Sequence, residues 1–158
     1  MKISVGQIYS EGERQKMVEI PTTRSTHICL VRHGETEWNA ERRIQGQIDI
    51  GLNEIGLRQA MAAGRWLKPA GIVALYSRDL KRAWTTAQSI GAELGLVPTP
   101  VPEMRERRYG VFEGLTYDEA KANHPDGYAA FEGRNAHYDF ENGESLVTMF
   151  ERVTGKLK

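Results

Sequence analysis

The residues best suited to chemistry are Arg32-His33-Gly34, which follow the apolar run Ile28-Cys29-Leu30-Val31 directly. An imidazole titrates near neutrality and is a competent nucleophile. An adjacent guanidinium is a planar, two-pronged donor able to hold a phosphate against it. Gly34 lets the backbone approach a ligand closely. The chemistry available to such a triplet is attack on a phosphorus centre whose charge the arginine carries. By itself the triplet also fits an ordinary loop after a strand.

The elements around the triplet decide where it would sit. Ile28–Val31 reads as a short buried strand, so the triplet falls at its carboxyl end, where open α/β sheets bind ligands. Asn53 is suited to cap a helix whose apolar stripe is Leu57, Ala60, Met61, Gly64 and Leu67, with Pro69 to Gly71 as its stop. Ile72–Tyr76 reads as a second buried strand. Ser77 then caps a helix with Leu80, Ala83, Trp84, Ala87, Gly91 and Leu94 inside, ended by Gly95. Pro98–Val101 suits an edge strand. Residues 103–142 are loop-rich apart from a short helix near Thr116–Ala122, and a last helix runs from Leu146 to about Leu157. Strands alternating with helices predict an α/β fold, a mostly parallel sheet flanked by helices. Residues 1–26 read as a polar N-terminal tail and 27–158 as the domain.

Composition narrows the partners. Lys+Arg and Asp+Glu each total 21, so no net field favours nucleic acid or a membrane surface. No apolar run reaches the roughly 18 residues of a membrane span. Cys29 cannot build a disulfide framework, and its apolar neighbours predict a small core residue. A cytoplasmic protein without a secretory signal is the expectation.

Four blocks in order sharpen the reading. The first is Leu30-Val31-Arg32-His33-Gly34-Glu35-Thr36-Glu37-Trp38-Asn39, continued by Arg43 to Asp49 and Leu52 to Ala60. The second is Ser77-Arg78-Asp79-Leu80-Lys81-Arg82-Ala83-Trp84-Thr85-Thr86-Ala87. The third is Arg105-Glu106 with Gly110, Glu113 and Gly114, and the fourth is Gly143-Glu144-Ser145. Together they resemble the histidine phosphatase (phosphoglycerate mutase-like) superfamily. The resemblance implies that fold, and it implies that His33 takes a phosphoryl group from a phosphate ester. It implies that Arg32 and Arg82 grip the phosphoryl oxygens, that Asn39 adds an amide donor and that Glu106 protonates the leaving oxygen. Gln45, Gly46 and Tyr109 are further candidate substrate contacts. Phosphoryl transfer is mostly positioning and charge stabilisation, which arginines supply without a metal, so neither metal nor cofactor is expected. A carboxyl group beside a phosphate should have a raised pKa, as a proton donor needs.

The family also uses a late strand-end histidine, and no such motif follows Gly143-Glu144-Ser145. His27, His124 and His137 lie outside every block and read as surface or loop residues. The resemblance therefore implies an incomplete domain, without the late strand and helix, whose activity is impaired and whose exposed surface favours self-association. The leading functional reading is hydrolysis of a small phosphomonoester. Glu106-Arg107-Arg108-Tyr109-Gly110 looks more like the phosphoglycerate mutase branch, and a non-catalytic domain that binds a phosphorylated ligand is the reading from another class.

Overall fold

The computed structural model of the chain describes residues 26–156. Contacts between Cα atoms divide the chain into residues 1–32 and residues 33–158. All but Thr26 of the expected N-terminal tail lies outside the described residues.

In the first unit, residues 26–32 belong to no strand or helix. The strand expected at Ile28–Val31 is therefore corrected to irregular chain. Ile28 and Leu30 are exposed, and so is Cys29, against its expected place in a core. β-rich composition supplies side chains fit for a sheet, but a strand exists only where a neighbour completes its ladder.

The second unit begins with a single helical turn, α1 (Glu37–Ala40), where a polar loop is expected. Thr36 and Asn39 close it with a reciprocal capping box, Thr36 accepting from the Asn39 N–H and Asn39 from the Thr36 N–H. Helix α2 (Glu54–Leu67) starts at the expected cap, Asn53, whose side chain accepts from the Gly56 N–H. Ala60, Gly64 and Leu67 are buried, whereas Leu57 and Met61 of the same stripe are exposed. Helix α3 (Lys81–Leu94) packs on α2 and ends as expected at Gly95. Its buried face holds Arg82, Ala83, Thr86, Ala87, Ile90 and Gly91.

Ser77 does not cap α3. It lies in β1 (Tyr76–Ser77), and its hydroxyl donates to the Arg78 carbonyl at 2.8 Å. The first turn of α3 is served from a distance, by the Asp49 carboxylate accepting from the Lys81 N–H at 2.6 Å. An anion at a helix N-terminus meets exposed N–H groups and the positive end of the dipole. The expected strand at Ile72–Tyr76 shrinks to β1, which runs parallel to β2 (Thr99–Pro100). The fold is α/β, with β1, α3 and β2 forming a parallel crossover unit. The sheet is smaller than the sequence predicts, because Ile28–Val31 lies in no strand and of Ile72–Tyr76 only Tyr76 pairs, with Ser77 beside it.

A second packing centre gathers Ile44, Phe112, Ala120 and Phe140, joined by Tyr109, Tyr128, Phe131 and Tyr138. Phe112 is 0% exposed, a burial that stabilises by about 1.5–3 kcal/mol. Tyr109 meets Phe140 edge-on at 5.4 Å between ring centroids. Arg107, 4% exposed, lies within this centre. Its guanidinium donates to the Glu144 and Tyr138 carbonyls, each at 2.8 Å, and covers the Phe140 ring at 4.6 Å. Those contacts offset the cost of removing a charge from water. Helix α4 (Tyr117–Asn123) appears where expected behind a Thr116 capping box, whereas α5 (Pro125–Glu132) was hidden in the loop-rich stretch. Helix α6 (Leu146–Lys156) closes the described chain.

Candidate active site

His33 is fixed by its own neighbour. Its Nδ1 lies 2.7 Å from the Gly34 carbonyl oxygen. A carbonyl can only accept, so Nδ1 carries hydrogen and the neutral ring bears its lone pair on Nε2. Gly34 is held in turn, its N–H donating to the Thr86 hydroxyl at 3.1 Å, while that hydroxyl donates to the Arg82 carbonyl at 2.7 Å. Helix α3 thus positions both the His33 segment and Arg82. A Cβ on Gly34 would stand 2.3 Å from the Gly56 carbonyl oxygen. No side chain fits there, because the His33–Glu35 backbone passes against the first turn of α2. Glu35 locks this approach: its backbone N–H donates to Gln59 at 2.8 Å, and its carboxylate accepts from Asn53 at 2.9 Å.

Arg82 is 2% exposed and is not the surface arginine its position beside the apolar stripe would allow. Its guanidinium donates to the Gly46 carbonyl at 2.6 Å and the Ile48 carbonyl at 2.9 Å. Burial, followed by the charge of Arg78, lowers its pKa. Loss of hydration and a like charge nearby both make an additional anion welcome. The loop that Arg82 holds also depends on Gly46, whose φ is +53°. A Cβ there would lie 2.0 Å from Oε1 of Glu113. The same Oε1 accepts from the Gln47 and Tyr109 N–H groups, each at 2.9 Å. Glu113 is therefore a structural carboxylate that ties the Gly46 loop to the segment carrying Glu106.

Glu106 lies beyond β2, in an extended segment that α6 reaches across to hold. Arg152 of α6 donates to the Glu103 and Arg105 carbonyls at 2.5 and 3.1 Å, and pairs with Glu144 at 2.6 Å. Arg105 forms a two-pronged pair with Asp79. The carboxylate of Glu106 accepts from Arg78 at 3.2 Å and from the Arg107 N–H at 3.0 Å. Both Glu106 and Arg78 act electrostatically on Arg82, with opposite signs, so the three charges form one cluster.

Of the other expected contacts, Asn39 and Gln45 meet through Thr36, whose hydroxyl is 3.1 Å from an acceptor on each. The Asn39 carbonyl is taken by α1, and among the described residues its amide nitrogen makes no hydrogen bond. The Tyr109 ring faces the aromatic core, where burial raises its phenol pKa. Arg32 is exposed. His124 joins α4 to α5 with its ring 5.5 Å from Phe112, and His137 is exposed. The residues missed as site components are Arg78, Thr86 and Glu113. Each lies inside or beside a quoted block, but their roles depend on partners 28 to 66 positions away. An open cleft of about 510 Å³ lies beside the site, lined by Gln47, Arg105, Arg108, Glu144 and Arg152 among others. Among the described residues no cluster of three or more His, Cys, Asp or Glu is placed to hold a metal ion. No described helix is long and apolar enough to cross a membrane.

Known proteins resemble this chain in sequence and fold. Residues 28–158 match the model of the histidine phosphatase superfamily, branch 1. The metal-independent phosphoserine phosphatase of Arabidopsis thaliana is 50% identical, over 84% of this chain and 57% of its own length. Phosphoglycerate mutase-like protein 4 of the same plant is 44% identical, over 83% of this chain and 58% of its own. The chain thus spans under two thirds of the length of these relatives. The solved mycobacterial glucosyl-3-phosphoglycerate phosphatase complexed with VO3 superposes with a TM-score of 0.74 at 34% identity, covering 79% of this chain and 59% of that one. With the family model matched over residues 28–158 and these relatives alike in sequence and fold, the chain belongs to the histidine phosphatase superfamily, branch 1.

Proposed function

We propose that the chain hydrolyses a small phosphomonoester through a phosphohistidine on His33. The observation that carries this reading is the Nδ1–Gly34 contact, which puts the neutral ring's lone pair on Nε2. In the first step Nε2 bonds to phosphorus as the ester P–O bond breaks, and Glu106 gives its proton to the leaving oxygen. In the second step water attacks phosphorus, its proton passes to the Glu106 carboxylate, and the N–P bond breaks to release inorganic phosphate. Arg82 stabilises charge on the phosphoryl oxygens, with Arg32 as a second grip and Asn39 as an amide donor. Gln45 and Gly46 shape the loop under the phosphate, and Tyr109 anchors the segment carrying Glu106. The arginines supply the charge compensation, so turnover should survive EDTA. The relatives named for phosphoserine and glucosyl-3-phosphoglycerate support a substrate that carries a carboxylate as well as the phosphate ester.

The test is incubation with a labelled phosphate ester, rapid quenching and analysis for acid-labile phosphate on His33. His33→Ala should lose the label and at least about 10³-fold in turnover. Label or turnover that survives the substitution rejects the assignment. Phosphoryl transfer to a second hydroxyl is the alternative, supported by likeness to phosphoglycerate mutase-like protein 4. Conversion of 3-phosphoglycerate to its 2-isomer without phosphate release would establish it.

A further inference from the structure

We propose that Arg78 is a shared arginine, which holds Glu106 until a phosphate ester arrives and then passes to the phosphoryl oxygens. The inference rests on the assignment of Glu106 as proton donor and adds a residue to that machinery. Both oxygens of Glu106 are engaged: Oε1 accepts from the Arg107 N–H at 3.0 Å and Oε2 from Nη1 of Arg78 at 3.2 Å. Both partners are N–H donors, and donors of that kind favour the charged carboxylate over the acid. Withdrawal of one partner would therefore make it easier for Glu106 to hold the proton that a leaving group needs.

The Arg107 N–H cannot withdraw, because its residue is anchored by a buried guanidinium bonded to two carbonyls. Arg78 can. Among the described residues its one ion pair is with Glu106, and its side chain remains partly exposed. It also has a destination. Arg78 and the buried Arg82 repel one another, and an anion between them would relieve that repulsion. A phosphoryl group offers more charge and more acceptor oxygens than one carboxylate. In the exchange, Nη1 leaves Oε2 for a phosphoryl oxygen and Oε2 takes a proton from solvent. That proton later goes to the ester oxygen. Binding of the anion and arming of the acid become one event.

The test uses the full chain and inorganic phosphate as the probe, so it does not depend on turnover. Affinity is measured by calorimetry for the wild type, R78M, R78K, E106Q, R78M/E106Q and R58M, a substitution on an exposed face of α2. R78M should weaken phosphate binding about tenfold, the scale of a lost charge-assisted hydrogen bond, with R78K in between and R58M unchanged. E106Q should tighten binding more when Arg78 is present than in R78M, since it frees that arginine. If R78M melts early, R78Q is read in its place. A wild type that binds no phosphate overturns the phosphate-site reading and this proposal together. A wild type that binds, with R78M within twofold of it, overturns the shared arginine alone, as does an equal effect of E106Q in both backgrounds.

Discussion

At the scale of single residues, the site is held by backbone geometry as much as by charge. Gly46 shows why. Its φ of +53° is strained for any side chain, and a Cβ would collide with Glu113. Gly46→Ala should therefore destabilise by about 1–3 kcal/mol, read as a lower urea midpoint. It should also weaken phosphate binding, because the Gly46 carbonyl is one of the two that aim Arg82. A substitution with neither effect would show that the loop can relax. His33, Arg82 and Glu106 are the residues the sequence nominates, because their blocks occur in order. Thr86 and Glu113 are not among them, since a threonine on a helix and a glutamate in a turn carry no local mark of partners dozens of residues away. Arg82 was read as a residue that grips phosphate, and the structure adds that two of its N–H groups are already spent on the Gly46 loop.

Among the elements, the helices were the more legible, for a physical reason. A helix satisfies its own hydrogen bonds, so caps and spacing within one segment suffice to specify it. Asn53 marked the start of α2, Thr116 that of α4 and Gly95 the end of α3, all by local chemistry. Strands depend on partners remote in sequence, and Ile28–Val31 and Ile72–Leu75 look like strands without being paired as such. Ser77 misled in the same way, because the acid serving the first turn of α3 comes from Asp49 across the fold. Asn53 links an element to the chemistry, since it caps α2 and also holds the Glu35 carboxylate beside the His33 segment. Asn53→Ala should cost about 1–2 kcal/mol, the upper range for a lost cap, measured by thermal unfolding. Asn53→Asp retains the capping oxygen and should recover most of that loss, while placing a like charge against Glu35. If Asn53→Ala melts with the wild type, the cap contributes little.

For the molecule as a whole, two properties follow from charge and surface. The first is acid sensitivity. The hydrogen bonds of Arg105 hold the Asp79 carboxyl below its ordinary value of 3.8. Backbone hydrogen bonds, with Lys156 and Arg43 assisting, do the same for Glu103 and Glu119. A depressed folded-state pKa contributes stability above the unfolded value and loses it as pH falls through the folded one. Urea midpoints should therefore be flat from pH 7 to 5 and fall below about pH 4. Asp79→Asn should make that fall shallower. The second is an expected tendency to self-associate. Val73 and Val97 are 88% and 89% exposed, and Tyr76 of β1 is 65% exposed. Among the described residues, a parallel sheet of two residues per strand leaves backbone groups open to further pairing, and an isolated pair of strands is marginal in water. Exposed β-branched side chains next to an open ladder favour another chain as the partner that completes it. The chain should elute larger than a monomer as its concentration rises and should bind a dye specific for exposed apolar surface. Val73→Lys with Val97→Lys should restore monomeric elution without lowering phosphate affinity, since neither residue contacts the His33–Arg82 cluster. A wild type that stays monomeric at high concentration and binds no dye would show that these side chains are tolerated as solvated surface.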